Sequence, residues 1–325
     1  MACQTPSCLA VLAILLQFLS VESVLMTPKQ ILLQTFGAGT PTSLLLCPES
    51  LTPLTLSYRS LGPFEERFLC SNEYGSRYKQ DKESGIWDMT ISAEQDKPWW
   101  QVSRREQISS RLFQTPLLSA IYERGYRQNF ENAGFPGIDK EYAEAEAFFL
   151  GGEKKGGVVM DLSCGSGFMT RRFIKSGKFS AVLSADLSKT MLGETARRCD
   201  EEGIPRPDLL VRADAARLPF PNNSLDSLHA GAAMHCWPRL PEALSEVYRV
   251  LKPGGKFYAS TFFNSLPNVI SQRRGGSGAG GFYLFEDREE VESFVRGAGF
   301  EEYDVRKEGQ GCAIVRAQKV PSASV

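Results

Sequence analysis

The fold of this chain is decided by residues 158–167, which read VVMDLSCGSG. The apolar run at 158–160 predicts a buried strand, and Asp161 stands near its end. Gly165 and Gly167 then permit a tight turn in which a ligand approaches the backbone closely. A helix is predicted from about residue 168 to 176. This order is typical of α/β domains that bind a ligand at the carboxyl edge of a parallel sheet.

Strands and helices alternate from residue 157 to the end of the chain, which predicts a mostly parallel sheet with crossover helices. We expect a Rossmann-like, seven-stranded sheet with helices on both faces and the last strand antiparallel. The candidate strands are residues 158–161, 181–185, 209–213, 225–230, 256–261, 303–307 and 313–317.

Carboxylates follow three successive predicted strands, at positions Asp161, Asp186 and Asp214. Asp161 suits the cationic amino group of a methionine moiety, Asp186 the ribose hydroxyls, and Asp214 the exocyclic amine of adenine. Taken alone, Asp186 is also compatible with NAD or with a helix N-cap. Thr170 replaces the third glycine of the dinucleotide fingerprint, which disfavours NAD. The predicted ligands of S-adenosylmethionine are Asp161, Gly165, Ser166, Gly167, Asp186, Leu187, Asp214 and Ala215.

These motifs resemble the class I methyltransferases of the small-molecule type, together with ADAARLPF at 213–220 and RVLKPGG at 249–255. That resemblance covers about residues 157–318. It implies S-adenosyl-L-methionine as cofactor, S-adenosyl-L-homocysteine as product and no metal. A closer resemblance, to uncharacterised chloroplast methyltransferases of plants and algae, rests on SAIYERGYRQNF at 119–130, GFPG at 134–137 and HAGAAMHCWP at 229–238.

Candidates for the reaction itself are few, since the chain has only two histidines, His229 and His235. His229 falls inside a predicted strand, which favours a structural role. His235 follows that strand at the acceptor edge, as a general base or as a pocket residue. By resemblance, the helix before the first strand folds over the cofactor. Arg127 there would meet the methionine carboxylate or else lie on a solvated helix face.

The segment before the methyltransferase-like region resembles an N-terminal zinc ribbon with two Cys-x-x-Cys knuckles. Only Cys47 and Cys70 remain of the four cysteines that this resemblance implies. Two thiolates do not complete a closed zinc site, so we predict a degenerate ribbon without metal. A disulfide between these two cysteines is the alternative. We also expect the glycine-rich residues 273–281 to form a mobile loop, which the resemblance places over the acceptor pocket.

Four parts of the chain are predicted: a targeting segment at 1–42, a degenerate ribbon-like unit at 43–105, a helical cap at 106–150 and a class I methyltransferase domain at 151–320. The apolar run 9–19 suits a signal peptide, and residues 24–48 lack acidic residues in the manner of a transit peptide. This order predicts a two-part plastid address, with the secretory pathway as the alternative. No transmembrane helix is expected in the mature chain.

The net charge of -1 disfavours nucleic acid as a partner. The leading hypothesis is a methyltransferase for a small organic acceptor, quinone- or isoprenoid-like, that is compatible with peripheral membrane association. The alternatives are an RNA methyltransferase, suggested by the ribbon, and a non-catalytic protein that binds S-adenosylmethionine. A nicotinamide oxidoreductase is the remaining enzyme alternative.

Overall fold

The computed structural model describes residues 44–48, 50–61, 64–71, 77–90, 135–263, 283–309 and 311–321. Five helices in these ranges are α1 (Ile138–Leu150), α2 (Phe168–Ser176), α3 (Lys189–Glu201), α4 (Leu240–Val250) and α5 (Arg288–Gly297). The strands are β1 (Leu54–Leu61), β2 (Phe64–Ser71), β3 (Arg77–Lys79), β4 (Trp87–Asp88), β5 (Gly156–Leu162), β6 (Phe179–Asp186), β7 (Leu209–Arg212), β8 (Leu225–Ala230), β9 (Leu251–Phe262), β10 (Glu302–Glu308) and β11 (Cys312–Gln318).

Within the described ranges, eight strands form the main sheet, in the order β10-β11-β9-β8-β5-β6-β7-β4. The strands from β9 to β4 run parallel, and β11 inserts antiparallel between β9 and β10. All seven strands predicted from the alternating pattern are present, and the Rossmann-like fold class is confirmed. The central strand is β5, so the glycine turn that follows it opens at the middle of the carboxyl edge.

Helices cover both faces because side chains alternate along each strand. Val159 packs with Ala145 and Phe149 of α1 and with Phe173 of α2. The alternate residues of β5, on the opposite face, share a core with α4, α5 and the N-terminal segment. Since Asp161 is two residues from Val159, its side chain lies on the α1–α2 face, beneath the start of α2.

The sheet has one strand more than the sequence predicted, because β4 joins it. Trp87 and Asp88, expected in the ribbon, pair in parallel with Val211 and Arg212 of β7. Strands β1, β2 and β3 form a separate antiparallel sheet, which fits a ribbon. Residues 44–48 do not form a strand of either sheet. Only Leu46 makes an isolated bridge there, and its N–H donates to the Pro219 carbonyl at 3.0 Å.

The N-terminal unit, defined here as described residues 44–90, therefore packs onto the sheet rather than lying beside it. Its buried Leu44, Leu45 and Trp87 belong to the same hydrophobic core as α4 and α5. The predicted boundaries at 42, 105 and 150 stay predictions. The targeting segment, most of the helical cap and the glycine-rich residues 273–281 lie outside the described residues.

Candidate active site

The glycine turn is held by hydrogen bonds and by close packing. The Gly165 N–H donates to Asp186 Oδ2 at 2.9 Å, which joins the turn to the end of β6. Gly167 is the N-cap of α2 and has φ +78°. A Cβ atom at Gly167 would lie 2.5 Å from Thr195 Cγ2 and 2.8 Å from Thr195 Oγ1. Position 167 is therefore restricted to glycine, both by its left-handed backbone conformation and by the lack of space for a Cβ atom.

Ser166 lies between these glycines and is fully buried. Its Oγ has no hydrogen-bond partner among the described residues, while its carbonyl accepts from Arg171 Nη1 at 2.6 Å. A buried hydroxyl without a partner costs free energy. An orphaned polar atom inside a glycine turn is consistent with a turn built to receive a polar ligand.

Asp186 ends β6, as expected for a ligand-binding acid at the carboxyl edge of the sheet, and the residue is partly exposed. Its Oδ1 accepts from the Ser188 N–H at 2.7 Å, and its Oδ2 accepts from Gly165. Burial raises the pKa of Asp186 to about 6, against the two backbone N–H groups, which favour the charged form. The alternative reading of Asp186 as a helix N-cap does not hold, since Ser188 caps α3 by accepting from the Met191 N–H.

Leu187 and the N-terminal unit meet at the same edge of the sheet. The Leu187 carbonyl accepts from Arg212 Nε at 2.9 Å, and Arg212 Nη1 lies 2.9 Å from Asp88 Oδ2 in β4. Sequence reasoning missed both Arg212 and Asp88. Their contact depends on the pairing of β4 with β7, which no local pattern announces.

Asp214 follows β7 as predicted, but its carboxylate is engaged. Its Oδ1 accepts from the Ala216 N–H at 2.9 Å, and its Oδ2 forms an ion pair with Arg239, the N-cap residue of α4. Ala215 beside it is partly exposed. A ligand amine would therefore share Asp214 with Arg239, another residue that the sequence did not single out.

Asp161 is brought to the site but is buried and fully engaged. Its Oδ2 accepts from the Thr170 N–H at 2.9 Å and from Thr170 Oγ1 at 2.7 Å. Its Oδ1 lies 2.9 Å from His229 Nδ1. The carboxylate thus ties β5 to the start of α2. Direct contact of Asp161 with a cofactor amino group stays a prediction. These contacts support a structural role for Asp161, in which it holds the start of α2 against β5.

His235 lies in a short 3-10 turn after β8, at the carboxyl edge of the sheet. Its ring packs edge-on against Phe262, and its Nδ1 is 3.3 Å from Thr261 Oγ1. Burial lowers the pKa of His235 to about 3. An imidazole with so low a pKa has little tendency to take up a proton at neutral pH. His235 is therefore favoured as a pocket residue over a general base.

The residues that follow His235 connect this 3-10 turn to the glycine turn. Trp237 Nε1 donates to Ser163 Oγ at 3.0 Å, and Ser163 itself has φ +57°. Burial and the nearby Asp186 carboxylate raise the pKa of the Cys236 thiol. A thiol held in its neutral form is a poor nucleophile, so Cys236 is disfavoured as a covalent catalyst.

The remaining sequence candidates lie elsewhere. Arg127 is outside the described residues. Cys47 Sγ lies 3.3 Å from the Tyr78 hydroxyl, and no disulfide joins Cys47 to Cys70, so the disulfide alternative is not present. No group of histidine, cysteine or carboxylate side chains in the described ranges has the arrangement of a metal site.

The fold and this edge of the sheet resemble those of class I methyltransferase domains. Residues 160–259 match the family model described as a methyltransferase domain. The chain is 40% identical, over 208 residues, to an uncharacterised chloroplastic methyltransferase of Arabidopsis thaliana. This match covers 62% of this chain and 54% of that protein. The predicted resemblance to chloroplast methyltransferases of plants is thus confirmed. The chain spans about half the length of the first curated relatives that it matches.

Two further comparisons are more distant. The chain is 26% identical to a ubiquinone/menaquinone biosynthesis C-methyltransferase of Brucella canis over 204 residues, covering 56% of this chain and 76% of that protein. It superimposes on phosphoethanolamine N-methyltransferase 2 of Haemonchus contortus, solved in complex with S-adenosyl-L-methionine, with a TM-score of 0.51 and 20% identity. That match covers 67% of this chain and 60% of the other. It shows the shared fold.

The two histidines are expected to titrate far apart, which nuclear magnetic resonance of the imidazole groups measures directly. His235 should stay neutral from pH 9 down to pH 5, because burial lowers its pKa to about 3. His229 should titrate near pH 9. A His235→Asn variant assigns the two sets of signals, since the chain has no third histidine. Titration of His235 between pH 6 and 7 would restore it as a general-base candidate.

Proposed function

We propose that this protein binds S-adenosyl-L-methionine and transfers its methyl group to a small organic acceptor. The observation that carries the proposal is the hydrogen bond between the glycine turn and the end of β6, in which the Gly165 N–H donates to the Asp186 carboxylate at 2.9 Å. Gly167, with no room for a side chain, and the orphaned Ser166 hydroxyl fit a ligand that lies against the backbone. Asp214, after the next strand, extends the same edge towards an adenine.

The sulfonium of S-adenosyl-L-methionine supplies an electrophilic methyl group, so no protein nucleophile is required. The task of the chain is to bind and orient two ligands. Asp186 accepts hydrogen bonds from the ribose, Leu187 and Ala215 line the nucleoside, and Asp161 holds the start of α2. Trp237 and His235 form the acceptor side, close to the glycine turn through the Trp237–Ser163 hydrogen bond.

A small acceptor is favoured over RNA because two pairs of consecutive arginines form ion pairs within the chain. Arg171 and Arg172 pair with Glu202 and Asp139. Arg197 and Arg198, on α3, both pair with Glu194. These arginines are therefore neutralised within the chain and do not form a basic stripe for phosphates. RNA methylation remains the second candidate, supported only by the ribbon-like strands β1–β3.

Quinone- or isoprenoid-like acceptors are the first class to screen. The similarity to the ubiquinone/menaquinone C-methyltransferase supports this choice at the level of a shared domain. The names of the Arabidopsis relatives support a plastid location. In the described residues, no helix is both long enough and apolar enough to cross a bilayer. Peripheral association with a membrane that holds such an acceptor forms part of the proposal.

Calorimetric titration of the chain from residue 43 onward with S-adenosylmethionine, S-adenosylhomocysteine and NAD tests the cofactor. We expect micromolar binding of both adenosyl ligands and none of NAD. Asp186→Asn should lower the affinity for S-adenosylhomocysteine by at least about a hundredfold. The two charge-assisted hydrogen bonds that Asp186 would accept from the ribose are each worth about 1.5–3 kcal/mol. Binding should also weaken as pH falls through about 6, where Asp186 takes up a proton.

The matched control is Asp208→Asn. Asp208 also accepts a strand N–H, from Val182 at 2.9 Å, but it precedes β7, at the opposite edge of the sheet. The Asp208→Asn variant should bind S-adenosylhomocysteine with the affinity of the unmodified chain. Preference for NAD, or an Asp186→Asn variant with unchanged affinity, would contradict the assignment of the cofactor. Methylation of RNA but of no small acceptor would favour the second candidate.

A further inference from the structure

A row of polar side chains crosses the sheet beneath α1 and α2. In the strand register, Ser184 of β6 lies beside Asp161 of β5, and Asp161 lies beside His229 of β8. His229 in turn lies beside Tyr258 of β9, whose ring stacks on the imidazole at 6.0 Å between centroids. Apolar side chains normally fill this layer, so a buried row of this kind calls for a reason.

Glu141 of α1 completes the charge in this row. Glu141 and Asp161 are each 2% exposed and His229 is fully buried. His229 Nδ1 is 2.9 Å from Asp161 Oδ1, and His229 Nε2 is 3.4 Å from Glu141 Oε1. The imidazole therefore lies between two carboxylates that come from different elements. Removing its charge would leave two buried carboxylates facing a neutral ring.

One end of the row reaches the cofactor side of the site. Asp161 accepts from both the N–H and the hydroxyl of Thr170, in the first turn of α2, directly after the glycine turn. Thr170 Oγ1 also lies 2.8 Å from Ser184 Oγ. The orientation of the Asp161 carboxylate thus fixes the start of α2, and with it the backbone of Gly167.

The other end reaches the acceptor side. Ser260 Oγ donates to Glu141 Oε1 at 2.8 Å and accepts from the Ala232 N–H at 2.7 Å. Ala232 has φ +49°, a left-handed conformation that alanine adopts at a cost. The loop that carries His235 and Trp237 begins here. Glu141 therefore helps to hold this loop in a conformation that it would not adopt unaided.

From this connection we infer that Glu141, His229 and Asp161 act together as positioning residues, which hold the cofactor turn and the acceptor loop in register for methyl transfer. None of the three needs to touch a ligand. This inference rests on the proposed function, because it assigns the two ends of the row to the two ligands.

The protonation state of His229 follows from its surroundings. Burial alone would lower its pKa, but the Asp161 and Glu141 carboxylates outweigh burial and raise it to about 9. The other titratable group that faces the ring is Tyr258, whose pKa burial raises, so it stays neutral over the same range. A raised histidine pKa contributes stability that is fully present below about 6.5 and is lost as pH rises through about 9. The contribution of these residues to ligand binding should be lost over the same pH range.

The test is calorimetric titration with S-adenosylhomocysteine, from pH 7 to 10, of the unmodified chain and of Glu141→Gln. Loss of one carboxylate lowers the pKa of His229, so the alkaline limb of binding should move down by at least about one pH unit. For a shift of one pH unit, the variant should bind about fivefold more weakly than the unmodified chain at pH 9 and about tenfold more weakly at pH 10. Glu146→Gln is the control, because Glu146 lies on the same helix but pairs outward with Lys178. It should reproduce the unmodified profile.

The amino group of the ligand titrates in the same way for every variant, so only differences between variants report on the protein. Should Glu141→Gln fail to fold, the unmodified chain is titrated with 5′-methylthioadenosine, which has no amino group. Its affinity should fall with the His229 midpoint measured by nuclear magnetic resonance. A folded Glu141→Gln variant with an unchanged profile, or affinity for 5′-methylthioadenosine that is flat through the His229 titration, overturns the inference. Absence of S-adenosylhomocysteine binding at pH 7 contradicts the proposed function instead.

Discussion

Gly167→Ala is expected to abolish measurable S-adenosylhomocysteine binding and to lower the free energy of unfolding by about 2–5 kcal/mol. The left-handed backbone at this position disfavours any side chain. A Cβ atom would also press on Thr195, whose hydroxyl donates to the Gly165 carbonyl at 3.0 Å. The strain therefore spreads through the whole glycine turn. Calorimetry with the ligand and urea unfolding measure the two effects.

Gly177→Ala is the matched control for this substitution. Gly177 ends the same helix, has φ +59°, and a Cβ atom there would meet nothing within 4 Å. It should lose only the backbone contribution, about 1–2 kcal/mol, and should keep its affinity for the ligand. If both variants bind S-adenosylhomocysteine equally well, close approach at Gly167 has no part in ligand binding.

Trp87→Ala is expected to destabilise the main sheet and its helices as a whole, by about 3–5 kcal/mol. Trp87 is 3% exposed and its strand is the last of the main sheet. We propose that the N-terminal unit and the domain unfold together. The helices that the structure describes lie at residues 138–297, outside the N-terminal unit, so far-ultraviolet circular dichroism follows their unfolding. Urea unfolding followed in this way should shift to lower concentration.

Leu51→Ala provides the comparison within the same unit. Leu51 is 38% exposed, so its truncation should change the free energy of unfolding by no more than about 0.5 kcal/mol. A helical unfolding transition that Trp87→Ala leaves in place would show that the ribbon-like unit and the domain are independent, as separate boundaries at residues 43–105 and 151–320 would imply.

The strands of the sheet were predictable because local pattern determines them. The apolar run before Asp161 and the alternation of strands and helices depend only on neighbouring residues, and they gave all seven strands of the expected fold. The acids Asp161, Asp186 and Asp214 were found for the same reason, since each follows a strand. The order of the strands then places them at one edge.

The partners of those acids were not predictable, because they depend on tertiary contacts. Arg239 is the N-cap residue of α4, with nothing in the sequence to direct it towards Asp214. Glu141 stands in a helix rich in alanine and glutamate, and no local pattern distinguishes it as the glutamate that is buried against Ser260. His229 was expected to be structural. Its position beside Asp161 follows from the parallel register of β5 and β8, which a sequence does not disclose.

The pairing of β4 with β7 has a consequence for how the chain is made. Residues 87–88 leave the ribosome more than a hundred residues before residues 211–212, their partners in the sheet. At about 5–20 residues per second, the interval is on the order of ten seconds. During that time the apolar side chains of Leu44, Leu45 and Trp87 have no finished core to enter. The N-terminal unit is therefore synthesised well before it can be completed, and a nascent chain that ends before residue 209 leaves these apolar side chains without their partners in the sheet.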